Sequence, residues 1–370
     1  MQSFSFFRLR FPTLLITSTL AHHPSSCALD SRQYRSSLLP RIPPKIQRRR
    51  NSEGLSCCAG RLFLDPVNEY RYKGYQYALT VGYDGGEFNG WQAQRHKNQA
   101  RVPTVQQTIE SALSRVLKVP VDSIRLIGAS RTDTGVHARG QIASFMSERP
   151  LDTNRLVLAV NSRLPRTVRV FSARWVNPDF HPLVHVRRKR YSYKVHTGVI
   201  LDPLCRFDRW HVPLALDISL VRQAARAMEG KHDFEHFSGA KTEALGRGRD
   251  SHRSIDIFNV EEIQDGLRFD IVGAGFLYHQ VRHVVGACIG LACGLYDLQY
   301  LTTLLSGSAA GQHHNPKWQM GRAHGLCLEE IELVDLPPPT KLIHPEYEHD
   351  EYGRVSSINT SNMVERPGGD

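Results

Sequence analysis

The sequence has no apolar run near the roughly 18 to 20 residues that a helix needs to cross a bilayer. Its longest candidates, at 14–21 and 284–295, are too short or are broken by Gly and Cys. A membrane-spanning helix is excluded, and no membrane partner is expected. Cysteine is sparse: Cys27, Cys57, Cys58, Cys205, Cys288, Cys293 and Cys327 are odd in number and include no C-x-x-C pair. Neither a disulfide framework nor a zinc site follows from that spacing. His232 and His236 have the i, i+4 spacing of a helical metal pair, but the Glu of a zinc-protease motif is missing and spacing supplies no third ligand. They read as surface and cap histidines. With 28 Gly and 20 Pro in 370 residues and 41% apolar content, the chain is neither collagen-like nor wholly disordered. It can bury a core in about two domains of roughly 150 residues each.

Acidic residues are absent before Asp30. Residues 1–60 hold nine Lys/Arg against Asp30 and Glu53, so +7 of the net +11 sits there and only +4 is left for the other 310 residues. With ten Ser as well, this segment has the composition of an organelle transit peptide and reads as disordered, plastid as first choice and mitochondrion second. A secretory signal fits less well, because Pro12, Thr13 and the Ser/Thr content dilute the short apolar stretch. At the other end, 336–370 opens with Pro337-Pro338-Pro339 and continues without periodicity, a disordered tail by composition.

Between these ends the pattern is regular. Tyr75, Tyr77, Leu79 and Val81 alternate into the turn Tyr83-Asp84-Gly85-Gly86, predicting a strand. Thr104 with Gln107 predicts a capping box, and Val105, Ile109, Ala112, Leu113 and Val116 mark one face of the helix that follows. Stretches 124–128 and 140–145 predict strands on either side of a loop at 130–139. The second half, 181–335, shows a related order to the first, 70–180. Tyr191, Tyr193 and Val195 alternate, and Leu220, Val221, Ala224, Ala225 and Met228 mark a helix. Strands at 255–263 and 267–272 meet at Asp265-Gly266, a hairpin signal. Helices at 277–295 and 298–305 lead to a last strand opening with Leu326, Leu328 and Glu330. The economical architecture is α+β, two halves each with an antiparallel-rich sheet covered by helices.

The loop Gly128-Ala129-Ser130-Arg131-Thr132-Asp133-Thr134-Gly135-Val136-His137-Ala138-Arg139-Gly140-Gln141 packs polar residues between two strands, where a rigid scaffold can place reactive groups. From spacing alone Asp133 could be a nucleophile, a metal ligand or the side chain of an Asx turn. Arg282 alone would be an ordinary polar position on a helix, and Tyr191 alone a core-facing strand aromatic. Arg187, Arg188, Lys189, Arg190 and Lys194 around Tyr191, with Arg247, Arg249 and Arg253, fit either an RNA surface or a solvated strand edge.

Taken together, the segments from Tyr75 to about Leu333 resemble the TruA-type tRNA pseudouridine synthase family, in the family's motif order. Val81-Gly82-Tyr83-Asp84-Gly85 with Phe88 and Gly90-Trp91-Gln92 is similar to its opening strand and turn, and Thr104-Val105-Gln106 to its first helix start. Arg131-Thr132-Asp133-Thr134-Gly135-Val136-His137-Ala138 is similar to its catalytic loop. Arg190-Tyr191-Ser192-Tyr193, Gly230-Lys231-His232-Asp233-Phe234 and Gly275-Phe276-Leu277 with Val281-Arg282 complete the series. Ser130 stands where the family usually has Gly, and Thr134 where Ala or Lys is common.

The resemblance implies two ferredoxin-like halves in one mixed, largely antiparallel sheet flanked by helices, with the active cleft between them, and a homodimer acting on tRNA. It implies isomerisation of uridine to pseudouridine, with the anticodon stem and loop region as the target. Atoms are conserved in that reaction, so no cofactor and no metal is expected. Asp133 matches the family's nucleophilic or proton-abstracting carboxylate, Arg282 the basic residue paired with it, Tyr191 the aromatic that stacks on the target base, and Arg131 the residue that fills the space the uridine leaves. Tyr193, on the face of Tyr191, is expected in the core. Two other classes compete: a catalytically silent RNA-binding protein on the same scaffold, and a carboxylate hydrolase. Glycoside cleavage normally uses two placed carboxylates, and the loop offers only Asp133.

Overall fold

The computed structural model describes residues 74–93, 102–239, 250–307, 317–334, 346–349 and 355–359. The transit-peptide segment 1–60, Arg247 and Arg249 lie outside the described residues.

The first half runs β1 (Tyr75–Tyr83), α1 (Val105–Leu117), β2 (Ile127–Gly128), β3 (His137–Ser147), α2 (Thr153–Asn161) and β4 (Val168–Val176). The alternation of β1 does what it predicts, with Tyr77, Leu79 and Val81 fully buried. The capping box of α1 is complete: Thr104 Oγ1 accepts from Gln107 N, and Gln107 Oε1 accepts from Thr104 N. Val105, Ile109, Ala112 and Leu113 turn inward. β3 begins at His137 and β2 is only two residues long, so the loop between them is 129–136, tighter than its polarity suggests. α2 and β4 are additions to the expected order. α2 buries only Leu156 and Val160, too few positions for a helical period to stand out.

The second half runs β5 (Val186–His196), β6 (Trp210–His211), α3 (Ile218–Met228), β7 (Gly230–Asp233), β8 (His252–Ile255), β9 (Ile257–Ile263), β10 (Gly266–Gly273), α4 (Gln280–Ala292), α5 (Leu298–Leu305) and β11 (Leu326–Leu333). The hairpin between β9 and β10 exists, but its two loop residues are Gln264 and Asp265, since Gly266 already pairs with Ile263. Asp265 takes the positive φ of 55°. A Cβ on Gly266 would meet the Val195 carbonyl oxygen at 1.9 Å, so glycine is needed there for the neighbouring strand. His232 lies on β7 and His236 in the 3₁₀ turn Glu235–Phe237, so their spacing is not that of one helix face. Within 336–370, expected to lack structure, β12 (Glu346–His349) and β13 (Val355–Asn359) pair antiparallel.

One sheet carries both halves, in the order β4-β1-β3-β11-β5-β10-β9, with β2 also on β3 and β6 on β5. Each half has the order fourth-first-third-second of a ferredoxin-like βαββαβ unit: β4-β1-β3-β2 and β11-β5-β10-β9. All pairings inside these units are antiparallel. The halves meet where β11 runs parallel to β3, pairing Cys327 with His137 and Leu328 with Ala138. β2 takes the other end of the same β3 edge, opposite Ala143 and Ser144. The loop joining β2 to β3 therefore opens at the seam, beside β5 and α4 of the second half.

Candidate active site

The loop at 129–136 is fixed almost residue by residue. Gln141, fully buried on β3, grips the backbone of Ser130 at both ends: Ser130 N donates to its Oε1 at 3.1 Å, and its Nε2 donates to Ser130 O at 2.6 Å. Thr132 shares a 2.7 Å hydrogen bond with the Tyr83 hydroxyl, and its carbonyl accepts from Trp91 N at 3.1 Å. That second contact depends on Gly90, which has φ 76° and whose added Cβ would lie 2.8 Å from Thr132 O. Thr134 Oγ1 donates to Asn89 Oδ1 at 2.8 Å, and Val136 N donates to Asp133 O at 3.1 Å, closing the turn. The turn is made by the Asp133 backbone, which leaves its carboxylate for another purpose.

Asp133 Oδ2 accepts from Arg282 Nη1 at 3.4 Å and lies 3.3 Å from His279 Nε2. Arg282 projects from α4 but is not an exposed helix position: its side chain is 12% accessible, and its Nε donates to Gly321 O at 2.8 Å. The Gly321 amide returns a bond to the Arg282 carbonyl at 3.1 Å. The segment carrying Gly321 can lie against α4 because position 286 has no side chain; a Cβ there would meet Gln319 O at 2.2 Å. The guanidinium is thus held through Nε and directed at one carboxylate oxygen.

Tyr191 and Arg131 complete the expected set around a cavity of about 850 Å³ whose lining also includes Asp133 and Arg282. Tyr191 is buried, its hydroxyl 2.9 Å from Ser130 Oγ and its ring edge-on to Phe276 at 5.4 Å. Burial pushes its phenol up to about 12, with the Ser130 hydrogen bond acting the other way, so the hydroxyl is neutral around pH 7. Ser130, which departs from the family's usual Gly, uses its hydroxyl here. Arg131 is exposed at the cavity. Tyr193 is fully buried, its hydroxyl donating to Arg322 O at 2.7 Å, and has the core role expected of it.

The cations of β5 do not form one surface. Side chains alternate across a strand, so Lys189 shares the face of Tyr191 while Arg188, Arg190 and Lys194 point the other way, and Arg187 sits at a register shift against β11. Arg187 pairs with Glu332 at 3.0 Å, Arg188 with Asp256 at 3.6 Å, Arg190 with Asp270 at 3.2 Å and Lys194 with Asp208 at 2.7 Å. Lys189 turns inward: Nζ donates to Ala129 O at 2.9 Å and to Ser130 Oγ at 3.3 Å, on the cavity wall. Burial lowers its pKa to about 8. Of these five, Lys189 belongs to the support of the loop, and the other four stand in ion pairs. His279 and Gln141 escaped sequence reasoning. A period of two, counted from Tyr191, would have placed Lys189; nothing in spacing marks His279.

A family model described as tRNA pseudouridine synthase matches residues 79–187 and 224–332, a stretch in each ferredoxin-like half, with most of β5 and of α3 lying between them. Among curated relatives, tRNA pseudouridine synthase A of Moorella thermoacetica is 34% identical over 254 residues, covering 69% of this chain and 98% of the relative. Its counterpart from Methylacidiphilum infernorum is 36% identical over 225 residues, 61% of this chain and 84% of the relative. tRNA pseudouridine synthase A 1 of Protochlamydia amoebophila is 34% identical over 216 residues, 58% of this chain and 81% of the relative. Motif order, a sheet of two ferredoxin-like halves and a match across both of them lead to one conclusion: the chain belongs to the tRNA pseudouridine synthase family, TruA type.

Proposed function

We propose that this protein is an isomerase that converts uridine to pseudouridine in tRNA, with Asp133 as its reacting carboxylate. The observation that carries the reading is the placement of Asp133: its backbone closes the loop, and its carboxylate, on the wall of a cavity of about 850 Å³, is met by Arg282. That volume is within the usual range for a small-molecule or nucleotide pocket. In the reaction the N1–C1′ bond breaks, the uracil turns, and C5 bonds to C1′. The C5 hydrogen leaves as a proton and N1 gains one, so atoms and electrons balance with no co-reactant. Asp133 attacks or takes a proton, and Arg282 orients it. The Tyr191 ring packs against the base. Arg131, exposed at the cavity, occupies the place in the RNA that the flipped uridine vacates.

The finer reading assigns the target to the anticodon stem and loop region and the site of action to an organelle, plastid first, on the composition of residues 1–60. It also assigns a homodimer as the working form. Val199, Ile200, Leu204 and Phe207, all more than half exposed on one connection, are apolar surface that such an association would cover. Incubating the protein with organellar tRNA transcripts and mapping pseudouridine tests the reading. Pseudouridine in the anticodon arm is the expected outcome; bound but unmodified tRNA would make the protein a silent binder.

A further inference from the structure

His279 precedes α4 with φ 63° and ψ 2°, the left-handed region that a residue with a Cβ enters at a cost. Such strain persists where neighbours enforce it, and it concentrates at functional positions. Here it is enforced from two sides. Gly239 N donates to the Tyr278 carbonyl at 2.8 Å, and a Cβ on Gly239 would come within 2.3 Å of His279 Nδ1, so only glycine leaves room for the imidazole. Over the ring lies Tyr278, its centroid 3.6 Å away and its plane tilted by 27°.

The clamped imidazole presents Nε2 at 3.3 Å to Asp133 Oδ2, the same oxygen that Arg282 Nη1 approaches at 3.4 Å. No hydrogen bond to Asp133 Oδ1 is formed among the described residues. A carboxylate flanked by two groups at one oxygen cannot exchange its oxygens by rotating about Cβ–Cγ without breaking both approaches. We infer that His279 is a positioning residue of the reaction, which together with Arg282 engages Oδ2 and leaves Oδ1 as the reacting oxygen of Asp133. This rests on the reading of Asp133 as the reacting carboxylate.

The test uses the full chain with tRNA transcribed from [5-³H]uridine, since the C5 hydrogen is released to water in each turnover. His279→Gly relieves the left-handed backbone and removes the imidazole; His279→Gln keeps an N–H near the position of Nε2. The inference predicts that His279→Gly lowers kcat by up to about a hundredfold, the scale of a misplaced reacting group, with KM for tRNA within about twofold and no fall in Tm. His279→Gln should recover to within about threefold of the parent. Wild-type kcat in His279→Gly, or a folded His279→Gln no more active than His279→Gly, overturns the inference. Asp133→Asn in the same assay separates the two failures: if it retains activity, the reading of Asp133 itself falls. If it is inactive while His279→Gly turns over normally, only the role of His279 falls.

Discussion

At the scale of residues, the site is a set of long-range pairs. Ser130 and Tyr191 are 61 positions apart and share a buried 2.9 Å hydrogen bond. Removing one member leaves a buried polar group without its partner, whereas removing both does not. Tyr191→Phe and Ser130→Ala should each cost about 1 kcal/mol of stability, and the double variant clearly less than their sum, a coupling of about 1 kcal/mol. Denaturant titration of the four proteins measures it; strict additivity would contradict the bond. Lys189 provides a pH signature. Its pKa is about 8 in the fold against the ordinary 10.5, so between those values the unfolded chain holds a proton that the fold does not. Its contribution to stability is therefore fully present above the upper value, rises with pH through the window, and is lost as pH falls through about 8. Relative to Lys189→Met, the parent should gain stability from pH 8 to pH 9.5 with a slope of at most about 1.4 kcal/mol per pH unit. Equal slopes would place the lysine in solvent. Asp133, Arg282 and Tyr191 were legible in the motifs that carry them. His279 was not, because its meaning lies in a left-handed backbone and in a partner 146 positions away in sequence.

At the scale of elements, what the sequence made visible was whatever has a local cause. The capping box and the apolar face of α1 can be read off a stretch of 13 residues, and α1 forms where they predict. The short α2 and the half-exposed β4 escaped because their burial is sparse, and the split of the β5 cations escaped because a charge cluster was read without its strand period. Thr104, fully buried at the start of α1, is the clearest element-scale test. Thr104→Ala removes the oxygen that accepts from Gln107 N and should cost about 1 kcal/mol, read as a lower urea midpoint with unchanged m. A loss under about 0.3 kcal/mol would show that tertiary packing alone sets the helix start.

At the scale of the whole molecule, the seam decides the function. β11 reaches across to β3 for two residue pairs only, and that short parallel contact sets the loop at 129–136 of one half against α4 and β5 of the other. Neither half alone holds both Asp133 and Arg282. Residues 1–60 are a transit peptide in the proposed reading, so deleting them should leave Tm and turnover unchanged within error. Joint loss of solubility and activity would assign that segment to the fold. The most direct measurement of the central claim is pseudouridine formed in tRNA by the full chain and by Asp133→Asn, with tRNA affinity measured alongside. The substitution is nearly isosteric and removes only the charge proposed to react. It should abolish product while leaving affinity within about tenfold, roughly 1.4 kcal/mol; undiminished pseudouridine formation by Asp133→Asn would contradict the account.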